Sequence, residues 1–143
     1  MFYIIEPEVA GGFGDSTVLD TDVHPPVVSN LEYRFEEWLG DEFLESFPCF
    51  IITKSAARKL NESQLSGFTL GHVYVTKSAE FGALHPHTSL PDFLRLEVKG
   101  TAGVDDLGLA ADHRLVVSQA CMDALRTFQL DNADIEEIEN RQP

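Results

Sequence analysis

The residues best suited to chemistry lie together in the connection between residues 101 and 117. Asp105, Asp106 and Asp112 precede His113 there, and carboxylates beside an imidazole can act as acid and base or bind a metal. A hydrolytic triad would also need a nucleophile on a defined turn, and the chain contains no Gly-x-Ser-x-Gly motif. Aspartates that form turns by accepting backbone N–H groups explain the same residues without catalysis. A small enzyme built on this loop stays open as an alternative function.

Two other patterns resemble parts of ligand sites. His85 and His87 are two residues apart, but Pro86 separates them and no cysteine lies near. The glycines between residues 11 and 14 are followed neither by lysine nor by a helical pattern, both of which a phosphate-binding loop requires. We therefore predict no metal site and no cofactor.

A strand, a capped helix and a second strand are predicted between residues 49 and 75. The apolar run at 50–52 favours a strand, Thr53 stands at an N-cap position, and the spacing of Ala57 and Leu60 is helical. A Ser66-Gly67 break ends the predicted helix, and the alternation from 68 to 75 predicts one further strand. The same order of patterns returns over residues 113–139, with Ser118 as the cap and Asp131-Asn132 as the stop.

The predicted fold class is α+β, in a single domain that spans residues 1–143. Each strand-helix-strand unit leaves about 18 residues between its strands, enough for a crossover that sets two strands parallel beneath the helix. The other strand patterns, such as the alternation at 31–36, are hairpin-like. We expect a mixed β-sheet with two or three helices packed on one face, built from two similar strand-helix-strand units.

The net charge of -14, from 24 acids and 10 bases, is concentrated at the two ends of the chain. Residues 1–50 carry a net charge of -10 and residues 101–143 carry -6, whereas residues 51–100 carry +2. A negative field of this size opposes binding to nucleic acid or anionic lipid, and it favours encounter with basic partners. Solubility alone would explain the same charge.

Composition favours a cytoplasmic protein. No apolar run approaches the roughly 20 residues of a membrane helix, and the start of the chain has no basic region typical of a signal peptide. Cys49 and Cys121 lie far apart without CxxC or metal spacing, so we expect buried, reduced thiols.

Five segments of the chain resemble the immunity proteins of bacterial polymorphic toxin systems, in which a strand ending in Ser or Thr leads into a helix and an acidic strand follows. The segments are VVSNLEY (27–33), WLGDEFLES (38–46), CFIITKSAARKL (49–60), LPDFLRLEVKG (90–100) and DHRLVVSQACMDALRTFQL (112–130). This resemblance implies a small cytoplasmic inhibitor that binds a cognate toxin and blocks its active or substrate-binding site. It implies no catalysis by the inhibitor itself.

Charge density, not the resemblance, predicts the toxin-binding surface. It comprises the acidic stretch around Trp38 and the acidic C-terminal segment. The residues are Glu36, Glu37, Trp38, Asp41, Glu42, Asp131, Asp134, Glu136, Glu137 and Glu139. Trp38 has a second possible role, because a short helix or turn beginning near Asp41 would bury its indole in the core. A third function also stays open, an assembly domain whose strand edges pair with another copy.

Overall fold

The chain is described by a computed structural model over residues 1–138. Thirteen strands and three short helices follow one another in this part of the chain. Their bounds are β1 (Phe2–Glu6), β2 (Gly11–Phe13), β3 (Val18–Asp20), β4 (Val27–Asn30), β5 (Glu32–Phe35), β6 (Phe43–Ser46), β7 (Cys49–Thr53), α1 (Lys54–Glu62), β8 (Phe68–Gly71), β9 (Tyr74–Lys77), α2 (Ala79–Leu84), β10 (Phe93–Val98), β11 (Leu107–Leu109), β12 (Leu115–Ser118), α3 (Gln119–Leu125) and β13 (Asp134–Ile138).

Two antiparallel four-stranded sheets form the main framework. The sheet that contains the first and last strands, here the terminal sheet, has the order β11-β12-β1-β13. The other, the central sheet, has the order β6-β7-β10-β8. A three-stranded mixed sheet (β2-β5-β9), in which β5 and β9 run parallel, and the β3–β4 pair complete the fold.

The central sheet is covered on both faces, which explains why every residue of β7 is buried. Phe50 and Ile52 point into a core shared with α1, α3 and the terminal sheet. Cys49 and Ile51 alternate with them and point into a second core, which includes Tyr33 of the mixed sheet. This two-sided burial follows from the period-two alternation of a strand.

Helices α1 and α3 begin in the same way. The hydroxyl of Thr53 accepts a hydrogen bond from the Ala56 backbone N at 3.2 Å, and that of Ser118 accepts one from the Cys121 backbone N at 3.1 Å. Both predicted N-caps are therefore confirmed. Cys121 and Cys49 are free and buried, as predicted, and burial raises the pKa of the Cys121 thiol to about 12.

The mixed α and β composition is confirmed, but the sheet arrangement differs from the prediction. The strands described between residues 1 and 138 are distributed over four sheets instead of one. In each unit the two strands that flank the helix were predicted to be neighbours, but another strand lies between them. Strand β10 lies between β7 and β8, and β1 lies between β12 and β13. Helix α2 contributes Phe81 to the second core, so the three helices do not share one face.

None of the three helices in the described part of the chain has the length and apolar character needed to span a bilayer.

Candidate functional site

The structure brings the two predicted acidic segments together. Both carboxylate oxygens of Asp41 accept hydrogen bonds from Asn132, one from the backbone N at 2.8 Å and one from the side-chain amide at 2.9 Å. Glu42 accepts a hydrogen bond from the backbone N of Gln129 at 2.9 Å and donates its own N–H to the Gln129 carbonyl. The stretch around Trp38 thus lies against the turn that leads into β13.

These contacts require a correction for Asp41, which was predicted to contact a partner. Its exposed fraction is 0%, so a partner cannot reach it. A buried carboxylate needs hydrogen-bond donors to replace water, and Asn132 supplies two of them. Asp41 is a structural residue that holds residues 129–132 in place.

Glu42 also forms hydrogen bonds within the protein. It is partly buried, and one of its carboxylate oxygens accepts a hydrogen bond from the Thr53 hydroxyl at 3.0 Å while the other accepts the one from Gln129. Glu42 therefore joins the N-cap of α1 to the turn after α3, and its carboxylate has less freedom to meet a partner than the sequence suggested.

Trp38 packs as a core residue. Its ring lies edge-to-face against Phe35 and Phe93, with centroids 6.0 and 6.4 Å away, and its indole N–H donates to the Asp41 carbonyl at 3.0 Å. It is partly buried against the second core. The core alternative for Trp38 is the one that the structure supports, although β6, not a helix, follows Asp41.

Sequence reasoning missed the residue that organises this stretch. Glu8 is buried, and its carboxylate accepts hydrogen bonds from the backbone N of Leu39 at 2.7 Å and of Asp41 at 3.2 Å. Burial raises the pKa of Glu8 above its ordinary value, although these two hydrogen bonds oppose the shift. The position of Glu8 in an acidic stretch after Pro7 gave no sign of burial, because nothing local distinguishes it from a solvated glutamate.

Glu36 and Glu37 remain on the surface. Both are exposed, and a Glu37 carboxylate oxygen lies 3.3 Å from the Nε2 of His85. Their role in binding stays a prediction.

Four of the C-terminal acids lie on the surface, as Glu36 and Glu37 do. Asp131, Asp134, Glu136 and Glu137 are all exposed, and we call these four residues the acidic edge. Among residues 1–138, none of the four lies within ion-pair distance of a basic side chain. Glu139 lies outside the described residues.

The acids of β13 are divided between the two faces of the terminal sheet. Asp134 pairs with Glu6 and Glu136 with Ile4, whereas Glu137 pairs with Tyr3. Because register partners point to the same face, Glu6, Asp134 and Glu136 form one acidic face. Arg114 supplies a positive charge that is felt by Glu6 and Glu136, but its guanidinium is bonded to Asp112 at 2.7 Å.

Glu45 extends this negative region into the protein. It lies on β6 and is partly buried, and burial, together with the nearby charge of Glu6, raises the pKa of its carboxyl to about 7. Nothing in the local sequence indicates this burial, since Glu45 follows Glu42 in an acidic stretch. Its burial arises because β6 pairs with β7.

In the loop proposed for the alternative enzyme, each of the three aspartates is hydrogen-bonded to a group other than His113. Asp105 accepts the backbone N–H of Thr101, Asp112 binds Arg114, and Asp106 accepts hydrogen bonds from Ser66 and Ser118. Within residues 1–138, no hydrogen bond joins His113 to a carboxylate; its imidazole lies edge-to-face against that of His24, with centroids 6.1 Å apart. The same part of the chain contains no group of three His, Cys, Asp or Glu residues placed to hold a metal.

Comparisons with known proteins give no match: no family model, no curated protein and no solved structure is similar to this chain. The resemblance to immunity proteins therefore stays an expectation from sequence. Function must be inferred from the geometry and charge described above.

Proposed function

We propose that this chain is an immunity protein that binds a cognate bacterial toxin and blocks its active or substrate-binding site. The observation that carries the proposal is the acidic edge, whose four carboxylates are exposed and lack basic neighbours within ion-pair distance in the described residues. Charges left without partners in a free protein are available to basic groups on another protein.

The proposed contact surface is narrower than the sequence predicted. Asp131, Asp134, Glu136 and Glu137 form its centre, and Glu36 and Glu37 are exposed acids of the other segment. Three residues of the first segment support this surface from inside the protein. Asp41 and Glu42 accept hydrogen bonds from Asn132 and Gln129, and the Trp38 indole donates to the Asp41 carbonyl. Glu139, which lies outside the described residues, is included in the proposal on charge alone.

The electrostatics favour a basic protein as partner. With 24 acids against 10 bases, the chain attracts a basic surface over distances of about one Debye length, roughly 8 Å at physiological ionic strength. Such attraction mainly raises the association rate, which falls as salt increases. A toxin that acts on nucleic acid carries a basic groove, and an acidic inhibitor can occupy it. In this proposal the chain acts in the cytoplasm, binds no nucleic acid or membrane, and performs no catalysis.

We also infer that the two strand-helix-strand units are similar in construction. Glu42 joins the N-cap of α1 to the turn after α3, through Thr53 and Gln129. Asp106 joins the N-cap of α3 to the turn after α1, because it accepts hydrogen bonds from the Ser118 hydroxyl at 2.6 Å and from the Ser66 backbone N at 2.9 Å. This reciprocity supports a related origin for the two units.

The experiment that tests the function begins with the native protein in its own cell. Proteins that co-purify with it at low salt and dissociate at high salt are identified, and each is expressed alone and together with the chain. We expect one of them to stop growth when expressed alone and to be neutralised by co-expression. If no co-purifying protein is toxic, the proposed function is wrong.

Matched variants then test the surface. The triple variant Asp134→Asn, Glu136→Gln, Glu137→Gln should lose neutralisation. A control with the same change in charge, Glu62→Gln, Glu80→Gln, Asp92→Asn, alters three exposed acids elsewhere in the chain and should keep it. Equal neutralisation by both variants would remove the acidic edge from the proposal.

A further inference from the structure

Strand β13 has an open side. In the terminal sheet it is the outermost strand, and its partner within residues 1–138 is β1. At the opposite margin of the sheet, β11 is partly covered, because Leu109 forms a bridge with Thr101. The edge of β13 is therefore the terminal sheet's uncovered margin in the described part of the chain.

In an antiparallel sheet, successive residues of a strand direct their backbone groups alternately to the two neighbouring strands. This alternation shows which backbone groups of β13 point outward. The backbone N of Gln119 donates to the Met1 carbonyl at 3.0 Å, so Met1, Tyr3 and Ile5 direct their backbone groups toward β12. The alternate residues of β1 then direct theirs toward β13, where they meet Asp134, Glu136 and Ile138. The N–H and C=O groups of Ile135 and Glu137 consequently point away from the sheet.

The side chains along this margin alternate in charge and character. Asp134 and Glu136 project on one face, beside Glu6. Ile135, which is 38% exposed, projects on the other face with Glu137. On that second face the guanidinium of Arg126 lies over the Tyr3 ring, 5.3 Å from its centroid, and supplies a positive charge. The first face carries three acids against one on the second, and Arg114, whose charge is felt by Glu6 and Glu136, is itself bonded to Asp112. The more strongly negative face is therefore the one with Asp134 and Glu136.

We propose that β13 accepts an extended basic segment of the partner as an additional strand of the terminal sheet. This inference rests on the proposed function and specifies its binding mode. The outward backbone groups of Ile135 and Glu137 pair with the added strand, which carries Lys or Arg at two positions two residues apart, facing Asp134 and Glu136. The residue between these two basic positions is apolar and lies beside Ile135.

Charge decides between this occupant and a second copy of the chain. Two β13 strands placed edge to edge would bring Asp134, Glu136 and Glu137 against the same acids of the other copy, and like charges directly opposite one another destabilise a strand pair. The acids that block self-pairing attract a basic strand. Backbone pairing provides affinity and alternate side chains provide specificity, as in other cases of strand addition.

The test uses a synthetic peptide in which lysine alternates with valine and threonine, titrated into the whole protein. Hydrogen exchange should slow at the amides of Ile135 and Glu137, which point outward, and change little at Asp134 and Glu136, which already pair with β1. Binding measured by fluorescence anisotropy should weaken about tenfold in Ile135→Pro, since proline lacks the N–H donor and hinders backbone pairing. The control Ile135→Thr keeps the N–H and should bind like the wild type.

The outcomes of these experiments distinguish a failure of strand addition from a failure of the proposed function. If the amide variants of the acidic edge abolish neutralisation of the toxin but Ile135→Pro neutralises and binds the peptide normally, strand addition is wrong and the proposed function stands. If the peptide slows exchange of no amide in β13, strand addition is likewise overturned. A concentration-dependent dimer in sedimentation that Ile135→Pro abolishes would show that a second copy is the occupant instead. Circular dichroism of Ile135→Pro checks its fold, and the wild-type exchange result stands without it.

Discussion

Strands β8 and β13 occupy equivalent positions but present different surfaces. Each follows the helix of its unit, each lies at a margin of a four-stranded sheet, and each pairs with an antiparallel strand that separates it from the first strand of the unit. In β8, Phe68 and Leu70 pack against the first core. In β13, four of the five residues are exposed and three are acidic.

The comparison separates the scaffold from the charge. A capped helix and a bridging carboxylate are present in both strand-helix-strand segments, where they join elements of the framework. The acids of β13 have no counterpart in β8, whose sequence is FTLG. Because the architecture does not require them, binding or solubility must account for them, and our proposal assigns them to binding.

The largest effect on stability is expected at Asp41, which binds the turn before β13. Replacing Asp41 by Ala removes a buried carboxylate and the acceptors of both Asn132 donors, and it leaves a cavity where the carboxylate was. We expect the free energy of unfolding to fall by about 3 kcal/mol, measured by urea denaturation. Asp131→Ala, an exposed acid in the same turn, should change it by less than about 0.5 kcal/mol. Equal effects would mean that the Asp41 contacts do not hold the turn.

A smaller effect is expected from Glu45, next to the acidic face of the terminal sheet. Its pKa is raised in the folded protein from 4.5 to about 7, so the folded state binds more protons than the unfolded state between these values. Stability contributed by this group therefore falls as pH rises from about 4.5 to about 7. Because Glu45 is partly exposed and solvent screening reduces the full effect of the shift, Glu45→Gln should raise the free energy of unfolding at pH 8 by about 2 kcal/mol at most, and by little at pH 4.

Thermal or urea unfolding at the two pH values measures this difference. A gain of equal size at pH 4 and pH 8 would show that packing, not ionisation, distinguishes glutamine from glutamate at position 45.

The equivalence of the units is tested by their bridging carboxylates. Glu42→Ala and Asp106→Ala each remove hydrogen bonds to one N-cap hydroxyl and to one turn. We expect each to lower the free energy of unfolding by about 1.5 kcal/mol. Burial opposes ionisation of Asp106, but the bonds from Ser118 and Ser66 outweigh it and lower its pKa. Its contribution should therefore be lost on acidification below pH 4.

Double-mutant cycles, measured by urea denaturation, test whether each bridging carboxylate acts through its N-cap hydroxyl. Ser118→Ala combined with Asp106→Ala should cost less than the sum of the single changes, because the two side chains share a bond. The same should hold for Thr53 and Glu42. Coupling in one pair alone would show that the two bridges are not equivalent.

The smallest effect on stability is expected at the acidic edge itself. Asp134→Asn and Glu136→Gln alter exposed side chains on a face where Glu6 is also acidic. The free energy of unfolding should change by no more than about 0.5 kcal/mol, with a slight gain from reduced repulsion. Denaturation at low salt measures it. A loss above 1 kcal/mol would assign these acids to the framework.

Local pattern predicted the two N-caps, but it did not predict how the strands pair. The caps at Thr53 and Ser118 were found because an N-cap depends on a few neighbouring residues. The alternation from 68 to 75 was interpreted as one strand, whereas β8 and β9 lie in different sheets and are separated by His72 and Val73. No local pattern reveals that change of sheet.

The acidic stretch around Trp38 shows the same limit for the candidate site. Asp41 and Glu37 are both acids beside apolar residues, yet one is buried and the other exposed. The difference comes from Asn132, which is 91 residues away in sequence. Separation of framework acids from surface acids therefore requires the tertiary contacts, and the binding role predicted for the acids of β13 stays a prediction.

The most direct test of the account compares the two margins in one experiment. The toxin identified by co-purification, held inactive by substitution in its own active site, is titrated into isotope-labelled protein, and backbone amide shifts are followed by NMR. We predict that shifts are largest at residues 131–137 and small at 68–71, and that they weaken in the Asp134→Asn, Glu136→Gln, Glu137→Gln variant. Largest shifts at 68–71, or shifts at 131–137 that the variant leaves unchanged, would contradict this prediction.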